Sequence, residues 1–174
     1  MQNIQIIDDF FDAPIFDEII HKINKQQYVC KCIHNHNSDK TTDIPFWRCD
    51  LNDDLFFVEY LSTIIKTKLE ENYYLKRVYL IGQTYQQNSN YHKDSNLSTS
   101  ITICLYMNDI DIGGHLYIKI PNQKAIMAVE PKMNRVVIFP SIYRHKGVGI
   151  ENEDLRKCIA WKFDNSSKNY INKL

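Results

Sequence analysis

Glycine and proline are scarce in this chain, five of each in 174 residues, and they do not gather into a linker. No internal repeat or low-complexity tract interrupts the sequence, which excludes repeat arrays and long disordered segments. Neither sign of charge is in excess: Lys and Arg total 21, Asp and Glu total 21. A neutral chain has no global field to draw in nucleic acid or an anionic membrane, and neither partner is expected. No apolar run is long enough to cross a bilayer, and the segment from Met1 to Asp9 has neither a basic start nor a long apolar stretch. The cysteines number five, at 30, 32, 49, 104 and 158. An odd count without a leader does not suit a disulfide framework, so reduced thiols in a cytoplasmic compartment are expected.

What is present is ordinary globular composition, 44% hydrophobic and 24% charged. A chain of this size buries roughly 70% of the surface it exposes when unfolded, enough for a core without staples. One domain over residues 1–174 is expected, with an N-terminal strand and supporting helices over 1–75 and a β-rich core over 76–174.

The N-terminal part opens on a short apolar strand at Ile4, Ile6 and Ile7. From Pro14, a residue suited to a first helical turn, Ile15, Phe16, Ile19, Ile20 and Ile23 recur at helical spacing. A second helix is predicted from Asn52 and Asp53, which can cap it, carrying Leu55, Phe56, Leu61, Ile64, Ile65 and Leu69. Residues 33–50 read as a polar, irregular loop that contains Trp47 and Arg48. Beyond residue 75 the texture becomes short strands, over 77–83, 100–107, 115–120, 125–129, 135–139 and 156–163, broken by Asn, Gly, Pro and Ser. This pattern predicts an antiparallel sandwich or barrel with helices outside one sheet, an α+β domain.

His92 and Asp94 are the first chemical signal. On an extended chain residues i and i+2 point the same way, so an imidazole and a carboxylate can converge on one ion. A third corner should come from a distant His on a neighbouring strand, and His145, 53 positions on, qualifies. Two His and one carboxylate on one face leave the opposite positions open, an arrangement that suits non-haem Fe(II). A His-x-Asp tripeptide alone carries little weight, because it occurs by chance in many chains.

Arg156 adds weight. It stands at the start of a largely apolar strand, and its alternation partners Cys158 and Ala160 are small and apolar, so its face points inward. A guanidinium aimed into a barrel needs an anionic partner, and a dicarboxylic ligand meets its fork with paired hydrogen bonds.

With these pieces in order, the stretch from about Tyr85 to Phe163 resembles the catalytic core of 2-oxoglutarate-dependent oxygenases of the prolyl-4-hydroxylase type. The matching pieces are His92 to Asp94, Leu105 to Asn108, Gly113 to Leu116, Glu130 to Ser141, His145 and Arg156. The resemblance implies a double-stranded β-helix, a jelly-roll variant, with N-terminal helices packed on the outer face of one sheet. It implies Fe(II) held by His92, Asp94 and His145, and 2-oxoglutarate held by Arg156 with Tyr106 and, less directly, Tyr85. Lys157 is the rival anchor, which strand alternation turns to the opposite face. It implies hydroxylation of an unactivated C–H bond by O2, coupled to decarboxylation of 2-oxoglutarate to succinate, with ascorbate in a supporting role. The carboxylate of Asp94 argues against the halogenating relatives, which carry a small residue there. In one respect the chain departs from the pattern: only four residues separate Arg156 from Trp161, fewer than the family leads one to expect, which puts the register near the anchor in doubt.

Other features have duller readings. Cys30, Cys32, His34 and His36 suggest zinc, but positions six apart on an extended strand lie about 20 Å apart, and a half-exposed strand with a polar loop explains them. Trp47 and Arg48 are candidates for a substrate-covering lid, with simple packing an equal alternative. The favoured substrate is a prolyl or other peptidyl side chain. The alternatives are a free amino acid or other small molecule and, from another class, a non-catalytic metal-binding jelly roll. Demethylation of nucleobases is disfavoured, because a second arginine is missing after His145.

Overall fold

The computed structural model describes residues 4–31 and 44–165. In chain order the elements are β1 (Gln5–Ile7), α1 (Ala13–Ile23), β2 (Val29–Lys31), β3 (Phe46–Asp50), a π-helical turn (Phe56–Tyr60) leading into α2 (Leu61–Leu69), β4 (Tyr73–Gln83), β5 (Ile101–Tyr106), β6 (Leu116–Lys119), β7 (Ile126–Val129), β8 (Val136–Pro140), β9 (His145–Gly147) and β10 (Arg156–Asn165). The strands form two antiparallel sheets, one in the order β1-β8-β5-β10-β4-β3-β2 and the other β7-β6-β9.

Alternation sends side chains to two covered faces, which explains the nearly continuous burial of β5 and β10 and of Val78 to Leu80 in β4. Val78 and Leu80 of β4, Ile101, Ile103 and Leu105 of β5, and Ile159, Trp161 and Phe163 of β10 share one cluster with Phe16, Ile19 and Ile23 of α1 and Leu61 and Ile65 of α2. The opposite face contributes Tyr79, Cys104, Tyr106, Cys158 and Ala160 to a second cluster, closed by Leu116 and Ile118 of β6. A sheet buried on both faces loses the apolar-in, polar-out signature. Here the inward face is instead the one that carries the polar groups.

Three local expectations differ from the structure. At the start of the second helix it is the Asp54 carboxylate that accepts an amide, that of Phe56 at 2.9 Å; the Asn52 side-chain oxygen Oδ1 instead accepts the Val78 amide at 2.8 Å, tying the loop to β4. Trp47 and Arg48 lie on a strand, β3, paired to β4 through Trp47↔Gly82 and Arg48↔Ile81. The register break in β10 falls between Lys162 and Phe163, where the partner skips from Arg77 to Leu75; from Arg156 to Lys162 the pairing with β4 is continuous. Of the Cys/His run, Cys30 is an exposed residue of β2, while Cys32, His34 and His36 lie outside the described residues. No described helix is long and apolar enough to cross a membrane.

Candidate metal centre

Reciprocal backbone hydrogen bonds join His92 to His145, N to O at 3.0 Å and 2.9 Å, so the two residues sit directly opposite each other across an antiparallel bridge. Opposed residues project to one face, and the two imidazole centroids are 4.4 Å apart. Two positions on, the Asp94 amide donates to the Ser141 carbonyl at 3.0 Å, which keeps the segment extended and turns the carboxylate to the same side. His145 Nε2 lies 3.2 Å from Asp94 Oδ2, and His92 Nε2 lies 3.8 Å from Asp94 Oδ1. One ligand atom from each of the three falls within 4.8 Å of the others, close enough to hold a metal ion.

The tautomers are fixed by the backbone. His92 Nδ1 faces the Asn90 carbonyl at 2.9 Å and His145 Nδ1 faces the Tyr143 carbonyl at 3.0 Å. Only an N–H can satisfy a carbonyl oxygen, so each ring carries a proton at Nδ1 and Nε2 is the nitrogen that would bind a metal. Burial, and then the neighbouring His145, push the His92 pKa down to about 4, so that ring is neutral near neutral pH. For Asp94, burial alone would favour the acid form, but Lys162 and His145 hold its carboxyl well below the usual range. Thr102 Oγ1 donates to Asp94 Oδ2 at 2.7 Å and lies 2.9 Å from Ser141 Oγ; Lys162 Nζ also donates to Oδ2. Thr102, Ser141 and Lys162 were not singled out from the sequence. Lys162 could have been, since it continues the alternation Arg156, Cys158, Ala160.

The same cleft, about 900 Å³ counted out to its open mouth, is lined by the three candidate ligands and by Arg156. Arg156 is 4% exposed. Its Nη1 donates to Gln83 Oε1 at 2.6 Å and its Nη2 to the Tyr106 hydroxyl at 3.3 Å, while Nε is buried without a partner. Gln83 stands directly opposite Arg156 across the β4–β10 pair, a cross-strand relation that no spacing in the sequence reveals. No carboxylate among the described residues pairs with this guanidinium. The donor set therefore fits a metal ion on one side of the cleft and an organic anion on the other. Lys157 faces away, its Nζ 3.5 Å from Asn24 Oδ1 on the outer surface. Tyr85 does not join the pocket: it lies beyond the end of β4, is 57% exposed, and its hydroxyl accepts a hydrogen bond from Gln86 Nε2. Arg48 lines the cleft, whereas Trp47, its neighbour on β3, points to the other side and is 38% exposed.

No family model matches the sequence, and no curated protein resembles it at the level of sequence. Solved structures do resemble it. A 2OG-Fe(II) oxygenase family protein from Burkholderia pseudomallei superposes with a TM-score of 0.71 at 12% identity, over 92% of this chain and 84% of that one. A prolyl hydroxylase from Trichoplax adhaerens, in complex with a hypoxia inducible factor oxygen degradation domain peptide fragment, gives 0.73 at 15% identity, over 98% and 87%. HygX from Streptomyces hygroscopicus, with nickel and 2-oxoglutarate bound, gives 0.67 at 11% identity, over 94% and 83%. At these identities the likeness establishes a shared fold: two facing antiparallel sheets of the jelly-roll oxygenase type.

Proposed function

We propose that this chain is an Fe(II)- and 2-oxoglutarate-dependent dioxygenase that hydroxylates an unactivated C–H bond. One observation carries the reading: three ligand side chains meet within 4.8 Å in a cleft that also holds a buried guanidinium with no carboxylate partner among the described residues. The fold shared with 2-oxoglutarate oxygenases supports it, as does the arrangement of helical side chains against the outer face of the large sheet. Within this reading residues 1–75 brace a catalytic core over 76–174, and the chain works in the cytoplasm.

His92 Nε2, His145 Nε2 and a carboxylate oxygen of Asp94 would hold iron, and Arg156 with the Tyr106 hydroxyl would hold the distal carboxylate of 2-oxoglutarate. Bound there, iron would activate O2 and 2-oxoglutarate would supply two of the four electrons that reduce it, leaving as succinate and CO2, while the other two come from the C–H bond that is hydroxylated. The chain's own contribution is orientation. Backbone carbonyls lock both imidazole tautomers, Thr102 and Lys162 fix the Asp94 carboxylate, and Gln83 fixes the Arg156 fork. Phe46, Ile81, Leu116 and Ala160 line the cleft between these polar groups and limit water there. Asp94 fills the third corner, so hydroxylation is favoured over halogenation.

The favoured prime substrate is a prolyl or other peptidyl side chain, supported by the peptide complex of the Trichoplax neighbour. A free amino acid or other small molecule is the alternative. A non-catalytic metal-binding jelly roll would have no use for the unpaired Arg156. The test is succinate release from 2-oxoglutarate by the purified protein with Fe(II), ascorbate and O2, alongside candidate substrate pools screened for a gain of one oxygen. Release above a His145→Ala control is expected; none above that control overturns the reading.

A further inference from the structure

We infer that the prime substrate presents an oxyanionic group, a carboxylate or a phosphate, to Arg48 and Arg77; this rests on the oxygenase reading above. Both arginines line the cleft, on the adjacent strands β3 and β4. Arg77 Nη2 lies 3.8 Å from Asp94 Oδ1. The guanidinium carbons of Arg48 and Arg77 lie 4.3 Å and 5.7 Å from the centroid of the same ring, Tyr79, so the two cations flank one aromatic wall.

Each meets a carboxylate among the described residues only at long range, 3.8 Å, and without a hydrogen bond. The carboxylate nearest Arg48 is Asp50 at 3.8 Å, whose side chain is 58% exposed, and Arg48 Nε is buried without a hydrogen bond. The carboxylate facing Arg77 is Asp94, already taken by Thr102 and Lys162. Arg48, Arg77, Arg156 and Lys162 thus face one carboxylate, Asp94, across the cleft. Arg156 would be occupied by the co-substrate and Lys162 donates to Asp94, so Arg48 and Arg77 are the cations of the cleft left to receive a further anion. Arg48, with its side chain 17% exposed and its Nε buried without a hydrogen bond, gains most from an anion placed there, and guanidinium forks match oxyanions in shape. A substrate bearing such a group would be drawn to the mouth and oriented beside the metal.

The test uses the full chain, both loaded with Zn(II) and 2-oxoglutarate and free of both, and measures the affinity of matched neutral and anionic probes. N-acetyl amino acids are compared with their carboxamides, and phenyl phosphate with phenol. The acid or the phosphate should bind about tenfold more tightly than its neutral partner, and the pair that shows the preference identifies the oxyanion. Arg48→Met should remove the preference while leaving 2-oxoglutarate affinity and the thermal midpoint unchanged. The inference is overturned if neither pair shows a preference in the wild-type chain, or if the preference survives in both Arg48→Met and Arg77→Met. Loss of the oxygenase reading would register separately, as a wild-type chain that does not bind 2-oxoglutarate with Zn(II) present.

Discussion

Lys162 Nζ donates to Asp94 Oδ2, the same carboxylate oxygen that faces His145 Nε2 at 3.2 Å. This buried ammonium has two opposed effects on the metal centre. Without metal it compensates a carboxylate whose side chain is only 2% exposed and keeps it ionised. With metal it is a like charge next to the ion.

Lys162→Met separates these effects. Removing one member of a buried ion pair costs about 3 kcal/mol or more, so the metal-free protein should melt at a lower temperature. Metal affinity should rise by about tenfold as the competing cation disappears. Chelator competition with Mn(II) measures the second quantity; weaker binding in the variant would mean that Lys162 supports the ion instead of opposing it.

Arg156→Leu should weaken 2-oxoglutarate binding by about a hundredfold, the loss expected when one partner of a buried charged pair is truncated. Metal affinity measured without co-substrate should be unchanged, and Lys157→Leu should bind 2-oxoglutarate like wild type. Isothermal titration of the Zn(II)-loaded proteins decides between the two anchors, and equal losses would remove the distinction drawn from strand alternation.

The parts of this site that were legible in the sequence are those encoded by spacing along one strand. His92 and Asp94 share a face at i and i+2, and Arg156 shares one with Cys158 and Ala160. What was not legible depends on pairing between strands. Gln83 matters because it lies opposite Arg156, and Thr102 and Ser141 matter because β5 and the end of β8 pass under Asp94. Strand β3 read as a loop because one of its two cleft-facing positions is an arginine, so the apolar alternation begun at Phe46 is broken at Arg48. Tyr85 misled for a related reason: it follows β4 closely in sequence, but the chain leaves the sheet after Gln83.

The stability of the metal-free protein should fall as pH drops from about 6.5 to about 4. The His92 pKa is lowered from 6.5 to about 4, chiefly by burial and then by His145. Over that window the unfolded chain binds a proton that the folded chain refuses. The contribution is fully present above pH 6.5 and is lost as pH falls through about 4, amounting to roughly 3 kcal/mol. Urea melts across this range should show the slope in wild type and a flatter profile in His92→Phe. Parallel profiles in the two proteins would assign the acid sensitivity to other groups; Asp8 is not one of them in this window, since Arg135 and Lys132 hold its carboxyl low and its contribution is lost only below the usual carboxylate range.

Gly147→Ala should weaken 2-oxoglutarate binding without touching any group proposed to contact it. A Cβ at Gly147 would stand 2.7 Å from Gln83 Oε1, the atom that accepts the Arg156 Nη1 hydrogen bond. Gln83 cannot retreat freely, because its Nε2 donates to the Gln87 carbonyl at 2.6 Å. The amide must turn, Arg156 loses an acceptor, and the fork is no longer held in one orientation. A loss of about tenfold in affinity is expected, the scale of one hydrogen bond to a charged group. A double-mutant cycle with Gln83→Ala tests the route. Once the glutamine side chain is gone, the extra methyl has nothing to displace, so Gly147→Ala should add no further loss. Additive losses would mean that Gly147 acts through the backbone of β9, and so through His145, instead of through Gln83.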